Sequence, residues 1–199
     1  MANAKVVLIG GAPGVGKTTL SRAMAARLDA TSLSVDDLLT AAKAVTTPAS
    51  HPGLHVMSVV NYVEYFTTTS VAQLKSDASL QHEATWPAVE GVIRKHAAWG
   101  PPIVIDGWTL RPHKVAQLNL ANVISVWLVA APSVLEERER TNLDFVRDSS
   151  DPERMLGNFL ARSFWHNDLI KRQATELGLK ILQQDGHTSV EELCSVALP

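Results

Sequence analysis

Two kinds of segment alternate along the chain. Short β-rich runs fall at residues 6–9, 31–35, 103–107, 122–130 and 179–183, each the length of a strand and too brief for a stable helix. The first and third, VVLI and IVIDG, are almost wholly apolar and run into glycine, which suits strands covered on both faces of a parallel sheet. Between the runs the apolar period lengthens to that of a helix. Leu20, Met24 and Leu28 place an amphipathic helix over 18–28. Further helices are predicted over 36–45, 87–99, 133–142, 151–177 and 190–196, the first capped by Asp36 or Asp37. Strands alternating with helices imply an α/β fold with a parallel sheet and helices on both faces.

One stretch resists this reading. Residues 46–81 open on the turn-rich TTPASHPG and show helical apolar spacing only around Met57 to Phe66. No repeat or linker divides the chain, and 199 residues can bury a core without filling two ordinary domains, so residues 1–199 read as a single domain. The formal charge of -2 argues against a chain-wide affinity for nucleic acid or anionic membrane. With Cys194 as the lone cysteine, neither an intramolecular disulfide nor a cysteine metal cluster can form, and a reducing cytoplasm is the expected compartment. No run approaches the ~20 apolar residues of a membrane span.

The chemistry enters between the first strand and the first helix. Gly11, Ala12, Pro13, Gly14, Val15, Gly16, Lys17 and Thr18 fit the phosphate-loop pattern G-x-x-x-x-G-K-[ST], in the strand–loop–helix setting that it requires. Backbone N–H groups of such a loop face phosphate oxygens, and the following helix adds its positive end. Lys17 is expected to reach the β and γ phosphates, Thr18 to help hold Mg²⁺, and Thr19 to meet a further phosphate oxygen.

Two carboxylates end strands: Asp36 in LSVDD and Asp106 in IVIDG. In a parallel sheet both fall on the edge that carries the loop. Asp36 is assigned to the acceptor hydroxyl, leaving Asp37 as the helix cap, and Asp106 to the metal through water. Arg138, Arg140, Arg147, Arg154 and Arg162 follow the fourth strand, and residues 138–162 read as an arginine-bearing lid that would close over the nucleotide. Singly, each of these arginines could equally pair on a solvated helix face with the acids of EERER. His51 and His55 lack a completing ligand set, and Pro52 and Gly53 stand between them. Trp108 leaves the Asp106 strand in DGWTLRP, which also carries Arg111.

The segments IGGAPGVGKTTL, SVDDLL, IVIDGWTLRP, VLEERERTN and ERMLGNFLARSFWHNDLI resemble the adenylate-kinase-like group of P-loop kinases acting on small molecules. The likeness is to proteins related to 2-phosphoglycerate kinase, and more distantly to gluconate kinases and chloramphenicol phosphotransferase-like proteins. It implies a three-layer P-loop NTPase fold with five parallel strands, ATP with Mg²⁺, an acceptor-side carboxylate at Asp36, Arg138 beside the adenine and Arg162 on phosphate. The chain departs from the 2-phosphoglycerate kinase pattern in carrying Asp106 where glutamate is usual, and in its own 46–81 segment, which is expected to form the acceptor-binding insertion. There Asn61, Tyr62, Glu64 and Tyr65 are placed to line the acceptor pocket.

The function expected is an ATP-dependent kinase acting on a hydroxyl of a small metabolite or antibiotic-like compound, with Lys17, Asp36, Arg138 and Arg162 as catalytic residues. Two alternatives stand beside it: a nucleotide-dependent regulatory ATPase or switch, and a kinase acting on an RNA end or tRNA-linked acceptor. A GTPase switch is disfavoured, because Asp106 is followed by Gly107, Trp108 and Thr109 rather than completing D-x-x-G, and no N-K-x-D occurs.

Overall fold

The computed structural model describes residues 4–58, 61–141, 146 and 148–198. The chain runs β1 (Val6–Gly11), α1 (Lys17–Leu28), β2 (Thr31–Ser34), α2 (Val35–Ala44), α3 (Pro52–His55), α4 (Tyr62–Thr68), α5 (Val71–Ala98), β3 (Ile103–Gly107), α6 (Pro112–Gln117), β4 (Val123–Ala130), α7 (Pro132–Thr141), α8 (Pro152–Glu176), β5 (Lys180–Gln184) and α9 (Val190–Ala197). The five strands form one sheet in the order β2-β3-β1-β4-β5, and every pairing is parallel.

β1 lies at the centre, which explains its uninterrupted apolar run. Val7 and Ile9 point into a core shared with Leu20 and Met24 of α1 and Leu193 of α9. Val6 and Leu8 point the other way, onto Val89 and Ile93 of α5 and Ile170 of α8. Burying each such side chain stabilises the fold by about 1.5–3 kcal/mol, so the alternation fixes the register of the central strand. That register sets Asp106 of β3 level with Ile9 of β1 and Ser34 of β2, and the phosphate loop and the start of α2 leave the sheet together. This is the three-layer P-loop NTPase fold, with five parallel strands.

Two expectations about helices are corrected. α2 starts one residue early and is capped by Ser34, whose hydroxyl accepts from the Asp36 N–H at 3.2 Å. Neither Asp36 nor Asp37 is the cap; both stand in the first turn, where a negative charge meets the positive end of the helix. The helix expected over 87–99 instead starts at Val71 and runs unbroken through Pro87. Its inward face reads Leu74, Ala78, Gln81, His82, Thr85, Val89 and Ile93. Polar residues occupy the middle of that face, so hydropathy hides a period that the burial obeys.

A third apolar cluster lies beyond the sheet edge. Tyr65 and Phe66 of α4 pack with Met57, Leu74 and Val146 and with Met155, Leu156, Phe159 and Leu160 of α8. α8 is itself pinned to the end of β4, where the Asn167 side chain accepts from the Ala130 N–H at 3.0 Å and donates to its carbonyl at 3.1 Å. α3, α4 and the start of α5 therefore form a helical wall beside a cavity at the loop end of the sheet.

Candidate active site

The loop between β1 and α1 depends on glycine at two points. Gly14 has φ +73° and Gly16 φ +97°, left-handed values that side chains disfavour. Gly16 is also the residue at which α1 begins, so the first N–H groups of the helix open toward the loop. Lys17 folds back to donate to the Ala12 carbonyl at 2.8 Å. Burial pushes its ammonium down to about 8, against the attraction of Asp106, Asp36 and Glu139.

Behind the loop, the Thr18 hydroxyl donates to Asp106 Oδ2 at 2.9 Å. Asp106 is 2% exposed, and its Oδ1 has no hydrogen-bond partner among the described residues. A buried carboxylate oxygen without a partner is costly unless something polar comes to it. With the neighbouring hydroxyl it forms a hard oxygen pair suited to Mg²⁺ or its bound water. No group of three or more His, Cys, Asp or Glu side chains that could hold a metal occurs among the described residues, so a bound ion would draw most of its ligands from phosphate and water.

Asp36 faces the same space. Burial raises its pKa from the ordinary carboxylate value, Lys17 lowers it, Asp106 and Asp37 raise it, and a hydrogen bond from the Trp108 indole lowers it. The carboxylate is thus held near a cation while keeping appreciable basicity. Loop, carboxylates and helical wall enclose a cavity of about 500 Å³, lined on the loop side by Pro13, Gly14, Lys17 and Glu139, and on the wall by Met57, Tyr62, Trp108, Phe159 and Arg162.

The five arginines separate. Arg138 donates to the Gly14 carbonyl at 3.1 Å and lies against the loop. Arg162 of α8 is buried in the cavity wall. Arg140 pairs with Glu136 at 3.0 Å and Glu153 at 3.7 Å on the surface, Arg154 is exposed, and Arg147 lies outside the described residues. Just before α8, Ser150 is tied to α4: it donates to Glu64 from its N–H at 2.9 Å and its hydroxyl at 3.0 Å. Thr19 is exposed in the first turn of α1.

Of the four residues expected to line the acceptor pocket, only Tyr62 borders this cavity. Asn61 caps α4, Glu64 holds Ser150, and Tyr65 turns inward to donate to Asp77 at 2.8 Å. Sequence reasoning missed Glu139, Leu39, Lys43, Met57, Gln81 and Phe159 as cavity residues. Glu139 had a faint signal: a fourth-residue spacing from Leu135 turns it inward with the buried face of α7. Arg111 does not reach the cavity; it is buried and donates to His82 Nδ1 at 2.8 Å, under Trp108. His82 and His166 are held neutral there, chiefly by burial.

A family model described as AAA domain matches residues 6–144, which span β1 through α7. The chain belongs to this AAA-domain family. No curated protein matches the sequence. Solved structures share the architecture of this AAA-domain chain at low identity. A gluconokinase from Sinorhizobium meliloti 1021 is 14% identical, with 100% of this chain and 91% of that one covered and a TM-score of 0.58. A sugar kinase from Janibacter sp. HTCC2649 is 15% identical over 98% and 92% of the two chains, with a TM-score of 0.57. A shikimate kinase from Bacteroides thetaiotaomicron is 16% identical over 96% and 93%, with a TM-score of 0.51. At such identities the likeness is one of fold, and these neighbours are P-loop kinases of small molecules. No helix among the described residues is long and apolar enough to cross a membrane.

Proposed function

We propose that this chain is an ATP- and Mg²⁺-dependent kinase that transfers the γ-phosphoryl group to a hydroxyl of a small molecule. One observation carries the reading: Asp36 opens onto the same cavity as Lys17 and the phosphate loop, opposite a wall of aromatic and apolar side chains. A pure nucleotide switch has no use for a walled space of this size beyond its phosphate loop. The motif likeness to 2-phosphoglycerate kinase-related and chloramphenicol phosphotransferase-like proteins belongs to the same reading.

The loop N–H groups and Lys17 hold the donor phosphates and neutralise charge on them as the bond to the leaving ADP breaks. Thr18 and, through water, Asp106 would hold Mg²⁺, which supplies further neutralisation of the phosphate oxygens. Asp36 orients the acceptor hydroxyl and takes its proton as the new P–O bond forms. Arg138, anchored on Gly14, stands at the mouth of the loop where the nucleotide base would pass. The 138–162 region acts as the lid and 46–81 as the acceptor wall, coupled through the Glu64–Ser150 bonds.

The test separates donor from acceptor. Asp36→Asn should bind ATP as the wild type does and lose acceptor-dependent ADP release by ~10²–10⁴-fold. Unchanged transfer in that variant would remove Asp36 from the chemistry.

A further inference from the structure

We propose that Arg162 is the anchor of an acceptor subsite for an anion, and that the acceptor carries a carboxylate or phosphate monoester beside the hydroxyl it offers. The acceptor role of this site rests on the kinase reading; the anion site itself does not.

Arg162 is 3% exposed. Its guanidinium carbon lies 4.5 Å from the centre of the Phe66 ring, 4.7 Å from Trp108 and 5.3 Å from Phe159. Nη1 touches the Met57 sulfur at 3.8 Å, the Tyr62 hydroxyl is a hydrogen-bond partner, and Nε has no partner among the described residues. Among the described residues no carboxylate forms an ion pair with it. Ring faces offset part of the charge but cannot satisfy a fork of five N–H donors. An apolar residue would pack against Met57, Phe66 and Phe159 at lower cost, so the cation is not there for stability. It borders the cavity, from which an anion can reach it.

The surroundings assign this cation to the acceptor rather than to the triphosphate. Every contact above comes from the 46–81 wall, from Trp108 or from α8, and none comes from the loop. The carboxylates that act on Lys17 are Asp106, Asp36 and Glu139; the polar neighbours of Arg162 are the neutral phenols of Tyr62 and Tyr65. Two side chains join the halves. Trp108 stacks on Arg162 and hydrogen-bonds Asp36, and Tyr62 feels both Arg162 and Asp36. One small molecule can therefore present an anion to Arg162 and a hydroxyl to Asp36. Lys43, like Lys17, is a further cation in the lining of the same cavity.

The test titrates the full chain, without nucleotide, with glycolate, glycerate, gluconate and glycerol 3-phosphate, and with glyceramide as the uncharged match, following tryptophan fluorescence. Glycerol 3-phosphate is also read in Lys17→Ala, where the donor loop no longer contributes, so that carboxylate and phosphate preferences separate. Saturable binding of at least one anion, no response to the amide, and roughly ten- to hundredfold weaker binding in Arg162→Met are expected. Arg162→Met should melt no lower than the wild type. If it does not fold, Arg162→Lys, which keeps the charge and loses the plane, should still weaken binding. Equal responses to glycerate and glyceramide, silence across all four anions, or undiminished binding in a folded Arg162 variant would overturn the site. Anion binding with no phosphoryl transfer would sink the kinase reading and leave this site standing.

Discussion

On the proposed reading the cavity has a donor side and an acceptor side, and the two are built in opposite ways. The donor side is one continuous run, residues 11–18, held between a central strand and a helix, with Asp106 delivered by the neighbouring strand. The acceptor side is gathered from Leu39 and Lys43 on α2, Met57, Tyr62, Gln81, Trp108 and then Phe159 and Arg162 on α8. Local geometry defines the first and long-range packing the second. A donor common to many enzymes can be bound by a fixed loop, while an acceptor that differs between enzymes is met by a wall that can be rebuilt without disturbing the sheet.

Breaking the donor side should cost the most. Lys17→Ala removes the cation that the phosphate loop itself carries and should lower phosphoryl transfer by at least ~10³-fold, read as ADP release at saturating ATP. Disturbing the seam between the two sides should cost less and be more informative. Trp108→Phe keeps a ring beneath Arg162 but loses the indole N–H that favours ionised Asp36, and a rate loss of roughly tenfold is expected. The sign on pH is fixed. Protonated Asp36 cannot take the hydroxyl proton, so the wild-type rate should fall as pH drops through a pKa already raised above that of an ordinary carboxylate. Without the indole the pKa rises further, and the acid limb of kcat/KM should move to higher pH. A limb that stays in place, or moves down, would show that Trp108 serves packing alone. The smallest effect lies at the base of the acceptor side. Ser34→Ala removes the cap of α2 and should lower the stability to urea by about 1 kcal/mol, with little change in transfer.

This contrast also decides what could be read from the chain. The strands and the loop were legible because a short continuous apolar run closed by glycine and a fixed motif are local properties, and Val6 to Thr18 carries both. Asp36 and Asp106 could be placed on one edge from strand polarity alone, and the register sets β3 and the start of α2 at one level. The cap of α2 was misjudged because serine and aspartate compete for that role, and only the backbone angle at Ser34 settles it. The start of α5 was hidden because Gln81, His82 and Thr85 are buried polar residues, and hydropathy scores them as surface. Arg162 read as a lid arginine from the arginine-rich segment and as a phosphate contact through family likeness; its aromatic surroundings arise from contacts with residues far away in sequence, which no spacing rule encodes.

The claim that both sides serve one reaction is tested most directly by acceptor-dependent ADP release. ATP and Mg²⁺ alone should give slow turnover, and a hydroxylated anion drawn from the binding panel should accelerate it at least ~10²-fold, with the acceleration lost in Asp36→Asn. ATP hydrolysis at full rate without any acceptor, unchanged by Asp36→Asn, would contradict the account and point instead to a regulatory ATPase.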